Sequence, residues 1–380
     1  MLRTRNSWAI NSPEQEVSLL MPSHHSIFEH SNSGLILLST ICHYEAMRIP
    51  QLRSGGIITN YNCSSRCRHC LYCSSPERSR DYLAASRAAP LFKALRAAGA
   101  RSVHIGGGEP FLKPEALAEV IETARQEGLG IDYVETNASW FILGRESGRS
   151  VKALERVKSA GAGTLLVSIS PFHNEYVPLA KMKSLLSACR SSGISVFPWV
   201  EGFLPDLSRF DEMQPHGFDE YIEAFGPNYL KNIASRYWLH PGGRALYTFF
   251  DPETAAPPES LPGADRGCGE LIETSHYHAD LYGRYIPGLC AGLGIDASDL
   301  SKGELNREKY PLLHLLYEEG PLALMRYAKE EFGFAPERFY GSTCHLCNEV
   351  RAFLALETEG RFYELHPLEY YRELKLQQPP

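Results

Sequence analysis

Ten cysteines in a chain of 380 residues are the side chains whose type and spacing speak most directly of chemistry: Cys42, Cys63, Cys67, Cys70, Cys73, Cys189, Cys268, Cys290, Cys344 and Cys347. Eight of them fall into two groups, at 63–73 and between 268 and 347. The first reads Asn62-Cys63-Ser64-Ser65-Arg66-Cys67-Arg68-His69-Cys70-Leu71-Tyr72-Cys73. Cys63, Cys67 and Cys70 stand at C-x3-C-x2-C, and three thiolates on one loop at that spacing can hold three corners of a cubane 4Fe–4S cluster. The usual ligand set is four cysteines, so a loop of three leaves one iron open to another ligand. Cys73 extends the run, so a ferredoxin-like set of Cys67, Cys70 and Cys73 and a zinc knuckle are the competing readings. In the second group Cys268, Cys290 and the C-x2-C pair Cys344 and Cys347 make a complete four-thiolate site, which suits zinc or iron–sulfur equally. Cys189 lies at helical spacing with Leu179, Met182 and Leu186 and reads as a small buried apolar residue; Cys42 is unassigned.

Composition narrows the classes. A net charge of −7, from 38 basic and 45 acidic residues, argues against binding a phosphate backbone, so no nucleic-acid partner is expected. No apolar run approaches the roughly 20 residues of a membrane span, and the N-terminus carries no apolar signal core. A cytoplasmic protein with no membrane partner is expected, with clustered thiols serving metal or redox chemistry rather than disulfides.

The elements that must position the first cysteine loop read as a βα alternation. A strand at Gly56–Tyr61 leads directly into the loop. Strands follow from about 101, 131, 164 and 194, separated by helices around 91–98, 117–124, 151–157 and 179–189. A beat of roughly 30 residues is the length of a parallel-sheet crossover, and such sheets place active groups at the carboxyl ends of their strands. A sixth strand is expected in 217–250, around Tyr237-Trp238-Leu239 or Leu246–Phe249. Beyond the proline-rich stretch Asp251–Gly263 the beat is lost: His276–Pro287 reads as a hairpin turning at Tyr282-Gly283, and 311–333 and 347–375 read as helical. The expected organisation is a lead-in segment 1–54, an α/β domain 55–250, a linker 251–263 and a smaller cysteine-containing α+β domain 264–380.

At this point the residues carry a resemblance. C-x3-C-x2-C after the first strand, with aromatic His69 just before the third cysteine, resembles the radical SAM superfamily. Gly107-Gly108-Glu109-Pro110 after the second strand looks like that family's GGEP motif. Glu135-Thr136-Asn137 and Ser168-Ile169-Ser170 look like its polar strand ends. The resemblance implies a partial (β/α)6 TIM-like barrel over about 55–250, with Cys63, Cys67 and Cys70 holding a 4Fe–4S cluster. It also implies S-adenosylmethionine bound by the open iron and by residues drawn from His69, Gly107, Gly108, Glu109, Pro110, Asn137, Ser168 and Ser170. The implied activity is reductive cleavage of SAM to a 5′-deoxyadenosyl radical that abstracts hydrogen from a substrate, fed by a flavodoxin- or ferredoxin-type electron donor. The hairpin between Cys268 and Cys290 resembles a SPASM or twitch extension, which implies an auxiliary 4Fe–4S cluster on Cys268, Cys290, Cys344 and Cys347, with zinc as the alternative. The match is partial, because six residues separate Gly283 from Cys290 where four are usual.

Relatives with such extensions modify peptides or proteins, and a peptide or protein is the leading substrate expectation; a small molecule is the alternative. His173, after the fourth strand, and Glu201, after the fifth, are the candidates for moving a proton. His240-Pro241-Gly242-Gly243-Arg244 is a candidate for contact with adenine or substrate. The reading from another class is an iron–sulfur electron carrier, or a zinc-stabilised binding protein, without SAM chemistry.

Overall fold

Strand residues of alternating character build an eight-stranded mixed sheet in the order β5-β4-β3-β2-β1-β6-β7-β8. The computed structural model describes residues 46–236 and 239–377; the lead-in up to residue 45 and Cys42 lie outside them. Five strands arise from the βα beat: β1 (Gly55–Ile58), β2 (Ser102–Gly106), β3 (Gly130–Thr136), β4 (Thr164–Ser168) and β5 (Ser195–Trp199). All pair in parallel. The crossover helices are Ala85–Ala97, Pro114–Gln126, Gly148–Ala160 and Leu179–Ser191. The third helix stops at Gly161, whose φ of +128° is open to glycine. Cys189 is fully buried in the fourth, as its helical spacing predicts.

The pleat sorts the sheet into two faces. Ile57, Val103, Ile105, Val134, Leu165 and Val167 are fully buried, and the register places Ile57 against Ile105 and Val134 against Leu165. Burying each contributes about 1.5–3 kcal/mol. The other face carries Gly56, His104, Tyr133, Glu135 and Phe197: His104 stacks on Tyr133 at 4.8 Å, and Tyr133 meets Phe197 edge-on at 5.2 Å. This polar and aromatic inner face is where the fold leaves room for chemistry.

The sixth parallel strand is not where the sequence analysis expects it. The described residues of 217–250 form helices at Phe218–Phe225, Tyr229–Arg236 and Ala245–Thr248, while Tyr237 and Trp238 lie outside the described residues. The strand is β6 (Tyr277–Asp280), paired in parallel with β1, and β7 (Arg284–Ile286) and β8 (Ile295–Asp296) continue antiparallel from it. The C-terminal hairpin therefore extends the same sheet. The sheet is open, not closed into a barrel.

The two long helical stretches are each interrupted. Gly320, at φ +86°, separates Pro311–Glu318 from Pro321–Phe332. Residues 358–367 separate Thr343–Glu357 from Leu368–Lys375. No helix among the described residues is long and apolar enough to cross a membrane.

Candidate functional site

The cysteine loop leaves the carboxyl end of β1 and is held there by backbone. Cys63 N donates to Ser75 O at 3.1 Å, and Cys70 N to Cys67 O at 3.1 Å. Cys63 and Cys67 are buried, and Cys70 is partly so. Burial pushes the Cys63 thiol up to about 12, and the nearby charges of Glu109 and Cys70 push the same way. Cys67 is raised well above its ordinary value by burial, then by Cys63 and Cys70. Cys63 and Cys67, whose ionisation is opposed by burial and by neighbouring charge, form with Cys70 a site where a cation would reverse the balance, since a coordinating thiol is deprotonated. Cys73 is fully buried with a left-handed φ of +50°. Its thiol is held up at about 12 by burial, with Arg244, Cys70 and Arg78 as its charged surroundings.

The glycines at 242–243 explain themselves against this loop. A Cβ on Gly243, which has φ +55°, would collide with the carbonyls of Cys70 and Leu71. Arg244, only 2% exposed, then donates from N to Cys70 O at 3.1 Å, from Nε to Cys67 O at 2.8 Å and from Nη2 to Ser74 O at 2.6 Å. Its Nη1 is buried with no hydrogen-bond partner. The His240–Arg244 segment thus clamps the cysteine loop.

The second motif packs on the first. Gly108 N donates to Asn60 O at 2.7 Å and Glu109 N to Asn62 O at 3.1 Å, and a Cβ on Gly107 would come within 2.6 Å of Asn60 O. The glycines permit two backbones to touch. Glu109 is fully buried and accepts from Phe111 N (3.1 Å), Thr136 Oγ1 (2.9 Å) and Asn137 N (2.7 Å). Burial pushes its carboxyl up to about 7 against the pull of those three donors. Pro110 opens the short turn Pro110–Leu112. Asn137 Nδ2 reaches Cys63 Sγ at 3.4 Å and Ser65 Oγ at 3.3 Å, so the end of β3 touches the first cysteine directly. A cavity of about 350 Å³ opens beside Cys63, between Asn62, Arg80, Tyr82 and Lys113.

Of the remaining candidates, His69 packs between Phe172 and His173, both with ring centroids 5.0 Å away. Ser170 caps the turn Pro171–Asn174, and its Oγ lies 2.7 Å from His173 Nδ1. Burial pushes His173 down to about 4. Ser168 ends β4, partly buried. Glu201 is exposed at the start of the turn Glu201–Phe203.

The fold also gathers the second cysteine group. Cys268 precedes the turn Gly269–Ile272, Cys290 follows β7, and Cys344 and Cys347 sit on the first turns of Thr343–Glu357. Cys290 is raised well above its ordinary value by burial and then by the charges of Cys268, Cys347 and Cys344. Arg351, 1% exposed, lies within electrostatic reach of this group, donates from Nη1 to Ala291 O at 2.9 Å, and keeps a buried Nε without a hydrogen-bond partner.

Sequence reasoning passed over three histidines on the inner face. His104, His276 and His278 bring one ring nitrogen each within 4.8 Å of the others, the only such trio of metal-ligating groups among the described residues. Burial pushes His104 down to about 3 and holds His278 well below its ordinary value. The alternation His276-x-His278 at the start of β6 was the available signal, because residues two apart in extended backbone share a face.

No family model matches the chain, and no curated protein does. Solved structures similar to it include SuiB of Streptococcus suis bound to the precursor peptide SuiA, at 13% identity over 73% of this chain and 66% of that one, with a TM-score of 0.31. The match therefore spans just under two thirds of the SuiB chain. BtrN in complex with AdoMet and 2-DOIA is similar at 12% identity over 72% of this chain and 90% of that one, with a TM-score of 0.38. Native anSMEcpe with bound AdoMet is similar at 10% identity over 85% and 98%, with a TM-score of 0.37.

Proposed function

We propose that this chain is a radical SAM enzyme acting on a peptide or protein substrate. The observation that carries the reading is the gathering of Cys63, Cys67 and Cys70 at the carboxyl end of β1, against the Gly107–Pro110 turn and Asn137. These three residues would hold a 4Fe–4S cluster. Arg244 fits that group: a buried guanidinium with one nitrogen unpaired stands where the negative charge of three thiolates would accumulate. The chemistry such a cluster supplies when bound, with an electron from a flavodoxin- or ferredoxin-type donor, is reductive cleavage of SAM to methionine and a 5′-deoxyadenosyl radical that takes a hydrogen atom from substrate.

The chain's own residues would do the positioning. Asn137 would orient Cys63 through its hydrogen bond to the sulfur, one of the means by which iron–sulfur potentials are set. Glu109 locks the β2 and β3 ends together, and His69, Gly107, Gly108, Pro110, Ser168 and Ser170 would line the rim for SAM. His173, kept neutral by burial beside His69, would accept a proton; exposed Glu201 would exchange one with solvent. The open inner face supports a peptide over a small molecule: Phe197 and Trp199 of the edge strand β5 stay 38% and 43% exposed on it.

Cys268, Cys290, Cys344 and Cys347 would hold an auxiliary 4Fe–4S cluster. A tetrahedral zinc with bonds of about 2.3 Å would bring its sulfurs about 3.8 Å apart. The same four thiolates also suit such a zinc, and elemental analysis for iron and zinc separates the two readings. The deciding experiment is anaerobic incubation of the iron-loaded protein with SAM and dithionite. Release of 5′-deoxyadenosine supports the enzyme, and its absence from cluster-replete protein favours an electron carrier.

A further inference from the structure

The register of three strands, not any motif, assembles the histidine trio. Gly56 of β1 is the partner of His104 on β2 and of His278 on β6. A side chain at the middle position would separate the two imidazoles, and a Cβ there would collide with His104 Nε2. With glycine in place, His104 Nε2 and His278 Nε2 meet above β1 at 3.2 Å. His276 lies two residues before His278 and so on the same face. The ring centroids form a nearly equilateral triangle: 5.2 Å for His104–His278, 5.2 Å for His276–His278 and 5.5 Å for His104–His276. A carboxylate stands beside the trio, with Glu135 Oε1 at 3.9 Å from His104 Nε2. Glycine makes room again, since a Cβ on Gly106 would come within 2.6 Å of Glu135 Oε2.

We propose that His104, His276 and His278, with Glu135 as fourth ligand, form a binding site for a divalent first-row transition metal of the zinc class on the inner face of the sheet, separate from both cysteine groups. Tetrahedral coordination with metal–nitrogen bonds of about 2.0–2.1 Å sets ligand atoms roughly 3.3 Å apart, and the His104–His278 separation already has that value. A hydrogen bond between two imidazoles would account for one pair; it gives no reason for a third imidazole to converge on the same point. His276 is exposed while His104 and His278 are buried, which provides an entry path to an otherwise enclosed site. His278 Nδ1 is buried without a hydrogen-bond partner, so Nε2, facing the trio, is the atom left to bind. Imidazole with one carboxylate suits zinc, cobalt or ferrous iron rather than magnesium or calcium. The site would add a Lewis acid to the surface where substrate lies, and it stands or falls independently of the SAM reaction.

The test uses the full chain with its cysteine sites already loaded with iron. Equilibrium dialysis against zinc, followed by elemental analysis, should find one zinc per chain beyond the iron. Cobalt(II) in its place should give visible bands without thiolate charge transfer. His278→Ala and His276→Ala should each weaken zinc binding by more than about a hundredfold, with iron content and circular dichroism unchanged; His276, being exposed, guards against a folding defect. No zinc beyond the iron, retention of zinc in the folded His276→Ala and His278→Ala proteins, or a cobalt spectrum dominated by thiolate charge transfer would each overturn the proposal.

Discussion

Arg244 Nε donates to the carbonyl of Cys67 across 2.8 Å, although 177 residues separate them in the chain. The same guanidinium reaches Ser74 O, so one side chain spans the cysteine loop. A long polar residue buried to 2% exposure is costly unless its donors are used, and one of them, Nη1, has no partner in the protein alone. Arg244→Met removes the clamp: Ser74 O loses its donor, at about 1–3 kcal/mol, and Cys67 O keeps only the Cys70 N–H. The expected outcome is a lower urea midpoint and loss of about half or more of the iron retained by the first site after desalting. Arg244→Lys should restore part of the stability but not the two-point clamp.

Cys73 tests the ligand assignment. Its sulfur is buried among Arg244, Cys70 and Arg78, and the loop of three is complete without it. Cys73→Ala should keep four irons at the first site and most of the 5′-deoxyadenosine release. Cys63→Ala, Cys67→Ala and Cys70→Ala should each abolish release. A reversed pattern, activity in Cys63→Ala and none in Cys73→Ala, would sink the assignment.

How much of this was legible in the sequence depends on distance along the chain. The strands up to β5 and their helices follow from a local beat, and the thiol groups from spacing. The strand β6 itself reads as a hairpin arm, but its pairing with β1 escaped because β1 lies some 220 residues earlier. The residues of β6, Tyr277-His278-Ala279-Asp280, with His276 just before them, read equally well as one arm of an isolated hairpin. The sixth strand looked for in 217–250 gave way to helices and the Gly242-Gly243 turn, whose purpose appears only against Cys70. The histidine trio and the Arg244 clamp are likewise products of register and long-range packing, which no local period encodes.

Glu109 carries a pH signature. Its carboxyl is raised from an ordinary 4.5 to about 7, burial outweighing its three donors. A pKa raised by folding means that the folded state binds the extra proton. The contribution is therefore fully present below about pH 4.5 and is lost as pH rises through 7. At 1.36 kcal/mol per pH unit it amounts to about 3 kcal/mol. Urea unfolding between pH 4.5 and 8 should show a decline to which buried Glu135 and Glu364, raised in the same way, also contribute, and Glu109→Gln should make it shallower while lowering stability at the acid end. A variant with the same pH slope as the parent would show that Glu109 is ionised throughout.

The second cysteine group lends itself to a stoichiometric test. Cys344 and Cys347 come from the first turns of one helix, Cys268 and Cys290 from either side of the hairpin, and Arg351 lies within electrostatic reach of Cys290, Cys344 and Cys347 with a buried Nε unpaired. With both groups filled by cubanes, the anaerobically reconstituted chain should carry about eight irons. The Cys344→Ala/Cys347→Ala protein should carry about four and still cleave SAM, uncoupled from substrate turnover. It should also unfold more readily, by about 3–5 kcal/mol, because Arg351 keeps its burial and loses the thiolates that balance its charge. Replacing Arg351 by Met in that background should recover part of the loss, a result that mere damage to the helix would not give. One zinc beside four irons, lost together with Cys344 and Cys347, would make this centre a structural clasp and remove it from the electron path.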